Sequence, residues 1–155
     1  MSVLVDTSVL LRLRDPNDPN HAACRLALDP NNVSSNGICL CAQVLIEYWV
    51  VATRPAGNNG FGLSPREAQD ELSALRALLP CLPEPPDVAD RWQALVSRYA
   101  VAGKPSHDAR LVALMTAHNI RRLLMLNFSD FKRYAEVDVV SPATWPSALP
   151  PAAGS

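Results

Sequence analysis

The sequence predicts an α/β fold, a three-layer α/β/α sandwich around a parallel sheet of four or five strands. Three observations lead there. The short runs "SVLV", "GICLCA", "LLML" and "VDVV" are mostly apolar rather than alternating, broken only by Ser2 and Asp138, as strands covered on both faces tend to be. Amphipathic helical segments lie between them, so the strands are joined by crossovers rather than hairpins. Proline, glycine and capping residues mark where those helices start and stop.

In chain order, "SVLV" is the first strand and "SVLLRLR" opens a helix. "DPNDPNHAACRLALD" places Asp and Asn cap candidates before an apolar periodic run, a second helix start. "NGICLCA" is the next strand, and "AQVLIEYWVVATR" a helix of about three turns stopped by Pro55. After the loop "PAGNNGFGL", Ser64, Pro65 and Glu67 form a capping box with proline at the first helical position, starting "SPREAQDELSALRALL". "PCLPEPP" breaks the chain. "DVADRWQALVSRYAVA" and "KPSHDARLVALMTAHN" are two more helices, followed by "LLML", a small helix at "FSDF", and the last strand "VDVV". The expected order is β-α-α-β-α-α-α-α-β-β, and the Pro- and Ala-rich end, residues 147–155, reads as a disordered tail.

Composition narrows the class. A chain of 155 residues is one domain with room for a core; 48% hydrophobic and 19% charged residues exclude disordered and fibrous classes. A net charge of −1 neither advertises nor excludes a nucleic-acid partner, because a local patch can hide in a neutral total. No apolar run approaches the roughly 20 residues of a membrane span. The N-terminus has no signal-peptide pattern, so the expected location is the cytoplasm. Cys24, Cys39, Cys41 and Cys81 show no C-x-x-C spacing and read as small apolar residues in a reducing compartment. A zinc site would require His21, His107 or His118 to converge on them.

The residues that stand out are acids. Asp6 follows the first strand directly, and in open parallel sheets ligands gather at the carboxyl ends of strands. Capping the next helix is the competing role, which Ser8 could share. Glu47 has Val44, Val50 and Val51 at helical spacing, which predicts a carboxylate on a buried stripe that has to be paired, neutralised or bound to a cation. Asp108 has Leu111, Val112 and Met115 on its face and falls in a first helical turn, where the helix dipole favours its ionised form. His107 beside it reads as a solvated loop residue. Asn127 stands at the end of the third strand, and Asp130 is a first-turn acid of "FSDF". Acids gathered at one sheet edge are oxygen ligands for Mg²⁺ or Mn²⁺, the equipment of metal-assisted phosphodiester hydrolysis. Arg12, Arg14, Arg54, Lys104, Arg110, Lys132 and Arg133 could touch phosphates, with a solvated face as the default for each.

"VLVDTSVLL", "QVLIEYWVVATR", "SHDARLVALM" and "LNFSDFKRY" resemble, in order and spacing, the PIN-domain ribonucleases, most of all the VapC-type toxins of toxin–antitoxin pairs. The resemblance runs to about Trp145 and implies a PIN-like domain over residues 1–146. It implies that Asp6, Glu47 and Asp108 form the acidic triad, with Thr7 or Ser8 supplying a hydroxyl that orients Asp6 or a metal-bound water. It further implies a Mg²⁺- or Mn²⁺-dependent endoribonuclease acting on tRNA, rRNA or mRNA, a homodimer, and a small VapB-like antitoxin that blocks the site. The family often has Thr-x-Asp after the third strand where this chain has Met125-Leu126-Asn127. The fourth acid is therefore either lost or supplied by Asp130, with Asn127 orienting a water or carboxylate.

Two other classes are open. A phosphotransfer or phosphatase domain also puts Asp after a strand, but the phosphatase pattern needs a second Asp where Ser8 stands. A receiver needs paired acids and a late lysine that "LLMLNF" does not offer. A PIN-like module that binds RNA without cutting it would keep the fold and lack metal-dependent cleavage.

Overall fold

A computed structural model of the chain describes residues 2–145. The expected tail, residues 147–155, lies outside the described residues. The elements are β1 (Val3–Val5), α1 (Thr7–Arg12), α2 (His21–Ala27), α3 (Pro30–Asn36), β2 (Ile38–Cys41), α4 (Ala42–Thr53), α5 (Pro65–Leu78), β3 (Cys81–Leu82), α6 (Val88–Arg98), α7 (Ser106–Ala117), β4 (Arg122–Leu124) and β5 (Asp138–Val140). Short 3₁₀ turns cover Ala56–Asn58 and Phe128–Phe131.

The sheet has the order β3-β2-β1-β4-β5 with every pair parallel, so the predicted α/β/α sandwich is found with five strands. β1 is central: Val3, Leu4 and Val5 have no exposed surface, as uninterrupted apolar strands require. The chain moves outward from β1 to β2 to β3, then returns to β4 on the other side of β1. With right-handed crossovers, that reversal sends the earlier helices to one face and α6 and α7 to the other. In the first layer α1 packs on α4 and α4 on α5; in the second α6 packs on α7. Tyr48 of α4 donates to Glu71 of α5 at 2.6 Å, and Glu71 pairs with Arg14 just after α1 at 3.0 Å, so one polar chain ties the first layer together.

The predicted punctuation holds at α4 and α5. α4 ends at Thr53, just before Pro55, and the box is closed in both directions, Glu67 N–H to Ser64 Oγ at 3.2 Å and Ser64 N–H to Glu67 Oε2 at 2.8 Å. Two elements depart from the expected order. α3 is a third helix before β2, started by Asp29 and Pro30 and closed by Gly37 in the left-handed conformation at φ 62°. β3 lies inside "PCLPEPP", read as a break. It has two residues, flanked by Pro80 and Pro83, and sits at the sheet edge, the one position where a ladder tolerates neighbouring prolines. The expected cap of α2 is also different, since Asn20 makes no side-chain bond to the helix start. Cys24, Cys39 and Cys41 are buried as expected, whereas Cys81 on the edge strand is exposed. Among the described residues, no helix is long and apolar enough to cross a membrane.

Candidate functional site at the carboxyl edge of the sheet

Asp6 closes β1. Its own N–H still donates to Leu124 O of β4 at 2.9 Å, so the backbone stays in the ladder while the side chain leaves the core. Its Oδ2 accepts the Ser8 N–H at 3.0 Å and caps α1. The structural role anticipated for this acid is therefore real, but it occupies one oxygen, and among the described residues no other donor is bonded to this carboxylate. β1 and β4 are the strands between which the chain reverses direction, so Asp6 sits at the topological switch point of the sheet.

Neither the Thr7 nor the Ser8 hydroxyl bonds the Asp6 carboxylate. Thr7, buried, turns its Oγ1 toward α4 and donates to Glu47 Oε2 at 3.0 Å, with the Val44 carbonyl at 3.3 Å. Ser8 Oγ accepts the Leu126 N–H at 3.3 Å and holds the segment after β4 against the end of β1. Thr7 is placed this way because it is the first residue of α1, on the side that packs against α4. Thr7→Val keeps the shape and strands both acceptors; the expected loss is about 1–2 kcal/mol of stability, read by urea denaturation.

Glu47 is not on a buried stripe. The covered face of α4 runs through Val44, Tyr48 and Ala52, while Val50 is 48% exposed and Glu47 is half-buried at its margin. Helical spacing groups Glu47 with Val50 correctly; it does not say which of that group a neighbouring element covers. Glu47 is held from both sides. Gln43, one turn earlier and buried, donates from Nε2 to Glu47 Oε1 at 3.2 Å and to the His107 carbonyl at 2.8 Å. Its Oε1 accepts Arg110 Nη1 at 2.9 Å, and Arg110 Nη2 pairs with Glu84 at 2.6 Å. A groove of about 420 Å³ opens beside this chain, lined by Gln43, Ile46, Glu47, His107 and Arg110. Sequence reasoning passed over Gln43. The signal was its spacing of four from Glu47, at which an amide and a carboxylate meet on one helix face.

Asp108 lies in the first turn of α7, as expected, and is half-buried above the covered residues Leu111, Val112 and Met115. Among the described residues it has no ion pair, and no donor is bonded to its carboxylate. Its carboxyl is pushed up to about 6, first by burial and then by the negative charges of Asp130, Glu47 and Asp6, with His107 acting the other way. Asp108 thus lies within electrostatic reach of each of the other three predicted acids. His107 belongs to α7 rather than to a loop. Asp130 is exposed in the predicted small helix and is held by Asn127, whose Nδ2 donates to its Oδ2 at 3.1 Å. Asn127 Oδ1 also receives the Ser129 N–H and hydroxyl, at 3.3 and 2.8 Å. The asparagine therefore ties the Asp130 carboxylate to the end of the β4 segment.

Among the described residues, no group of three or more His, Cys, Asp or Glu side chains forms a ready cage for a metal ion. Among the described residues, the cysteines and histidines do not converge into such a group. For Mg²⁺ the donor set fits. This ion uses one or two carboxylates directly and keeps waters on its other positions, so acids spread around a shared space suit it better than a closed cage. An ionised Asp108 without a donor, in the field of three other acids, is the kind of group a divalent cation relieves.

Comparison with known proteins follows the same line. The PIN domain model matches residues 3–137. VapBC from Salmonella typhimurium, solved bound to DNA, is similar at TM-score 0.69 with 14% identity, over 92% of this chain and 98% of that one. VapBC2 from Rickettsia felis, bound to a promoter fragment, gives 0.67 at 14% identity, over 91% and 98%. VapC20 from Mycobacterium tuberculosis, described as a sarcin–ricin loop cleaving toxin, gives 0.60 at 19% identity, over 83% and 92%. No curated protein sequence matches at a significant level. With the family model matching residues 3–137, most of its length, the chain belongs to the PIN-domain family.

Proposed function

We propose that the protein is a Mg²⁺- or Mn²⁺-dependent endoribonuclease, a VapC-type toxin held inactive by a small VapB-like antitoxin. The observation that carries the reading is Asp108, an acid without a donor, raised by burial and by Asp130, Glu47 and Asp6 at the switch point of a PIN-domain sheet. Asp6, Glu47 and Asp108 would hold the ion. When bound, it supplies a nucleophilic water of lowered pKa and neutralises charge on the scissile phosphate. The protein's own part is placement. The β1 ladder and the α1 cap set Asp6, Thr7 and Gln43 hold the two oxygens of Glu47, and the start of α7 carries Asp108. Asp130, held by Asn127, is an outer acid that contributes charge rather than direct ligation.

RNA is the substrate class, whether tRNA, rRNA or mRNA, and the solved relatives that are toxin–antitoxin complexes support a protein antitoxin as partner. The reading includes a homodimer acting in the cytoplasm and one domain spanning residues 1–146. The test is cleavage of a defined tRNA and ribosomal-RNA set. Cutting should require Mg²⁺ or Mn²⁺, stop in EDTA and return when the ion is restored. Cleavage that survives the chelator would sink the metal mechanism; RNA binding without cleavage at any divalent ion would favour the non-catalytic PIN-like module instead.

A further inference from the structure

We propose that Gln43 is the positioning residue of the site, setting the Glu47 carboxylate and locking the helix of Glu47 to the helix of Asp108. The inference rests on the functional reading above. It starts from a position that composition alone would make apolar. Gln43 is 8% exposed in the first turn of α4, beside Val44 and behind the wholly buried strand β2. An amide there costs free energy unless its hydrogen bonds are made, and here they are. Both Nε2 protons are engaged, by Glu47 Oε1 and the His107 carbonyl, and Oε1 is engaged by Arg110.

The partners admit one orientation of the amide. Turned over, its oxygen would face a carboxylate and a carbonyl while its NH₂ faced a guanidinium, exchanging three attractions for three repulsions. The amide is therefore a fixed donor toward Glu47. Thr7 occupies the other carboxylate oxygen, so the plane of the Glu47 carboxylate is set from two elements at once. The third bond adds the coupling. His107 immediately precedes Asp108, and α4 and α7 belong to opposite layers of the sandwich, so Gln43 spans the carboxyl edge of the sheet between the two acids. The expected size follows from outer-shell partners of metal ligands in general, whose loss costs about 10–100-fold in metal affinity or activity.

The experiment uses the full chain as wild type, Gln43→Met and Trp92→Phe. Methionine fills the amide's volume without its donors. Trp92 Nε1 donates to the Ser106 carbonyl at 2.8 Å, so the phenylalanine variant loosens the same start of α7 without touching Glu47. Three quantities are read: Mn²⁺ affinity by calorimetry without RNA, kcat and KM on an RNA the wild type cuts, and the unfolding midpoint. Gln43→Met should bind Mn²⁺ about 10–100-fold more weakly and lose kcat to a similar extent with KM little changed. Trp92→Phe should unfold at lower temperature with Mn²⁺ affinity and kcat intact. If the methionine variant does not fold, Gln43→Asn, one methylene short of Glu47, carries the same expectation. Wild-type Mn²⁺ affinity and kcat in the Gln43 variant, or an equal fall in both variants, would overturn the proposal alone. A wild type that neither binds Mn²⁺ nor cuts RNA would overturn the functional reading and the proposal with it.

Discussion

Asp108→Asn should lower RNA cleavage by about 10²–10³-fold, the usual loss when one electrostatic element of a site is removed, and should make the metal-free protein more stable at pH 7. The two effects have one cause. Asp108 ionises inside the field of Asp130, Glu47 and Asp6 and is partly desolvated, so its carboxyl is pushed from 3.8 up to about 6. Between those pH values the unfolded chain has released this proton and the native one has not. The native state binds more protons there, so this group's contribution to stability is present in acid and is lost as pH rises through about 6. Asparagine keeps the shape and has no proton to lose. At pH 7 the variant should gain about 1–2 kcal/mol after allowance for solvent screening, and at pH 4 little or nothing. Urea denaturation in EDTA at several pH values, wild type beside variant, reads the difference. A variant less stable than wild type at pH 7 would mean that Asp108 has a structural cation rather than a vacant carboxylate.

Asp6→Asn and Glu47→Gln should likewise lose cleavage, with smaller changes in stability. Asparagine caps a helix about as well as aspartate, so the α1 cap survives the first; in the second, glutamine can still accept from Thr7 but turns its NH₂ toward the Gln43 NH₂, a mismatch that offsets the relief of like-charge repulsion. Asp130→Asn should lose less cleavage than the other three, because this acid is exposed and lies outermost.

The largest loss of stability should come from Leu4→Ala, at about 3–5 kcal/mol. Leu4 has no exposed surface and lies in the central strand, in register with Cys39 of β2 and Leu123 of β4. Both sheet faces are covered by helices, so the cavity has little room to collapse. Of α4's apolar residues, Val50 offers the contrast. It is about half exposed, and Val50→Ala should stay within about 0.5 kcal/mol of wild type. Equal losses in the two variants would mean that the layers are covered differently from what burial indicates.

Local chemistry made much of this protein legible in its residue order. Uninterrupted apolar runs marked β1 and β2, because a strand buried on both faces has no polar side to show, and mostly apolar runs marked β4 and the edge strand β5, which carries the exposed Asp138. Ser64, Pro65 and Glu67 marked the start of α5, because a cap bonds to residues within one turn. Asp6 stood out because a carboxylate ending an apolar strand has few inexpensive places to go. The exceptions are all matters of what lies far away in the chain. β3 is a strand only because β2 presents Leu40 and Cys41 to it, and nothing inside two residues between prolines could announce that partner. Apolar helical neighbours place Glu47 on a buried face, but the covering of α4 is decided by α1 and α5, which leave Val50 about half exposed.

The hydrogen bonds of the site divide the same way. The Asp6 cap joins residues two apart and could be anticipated from the order of residues. Thr7 finds Glu47 across 40 residues, and Gln43 finds the His107 carbonyl across 64 and Arg110 across 67. Side-chain chemistry states what each of these groups can donate or accept. Which partner it meets depends on how the two helical layers close over the sheet edge, and that is set by the summed burial of the whole core rather than by any segment of it.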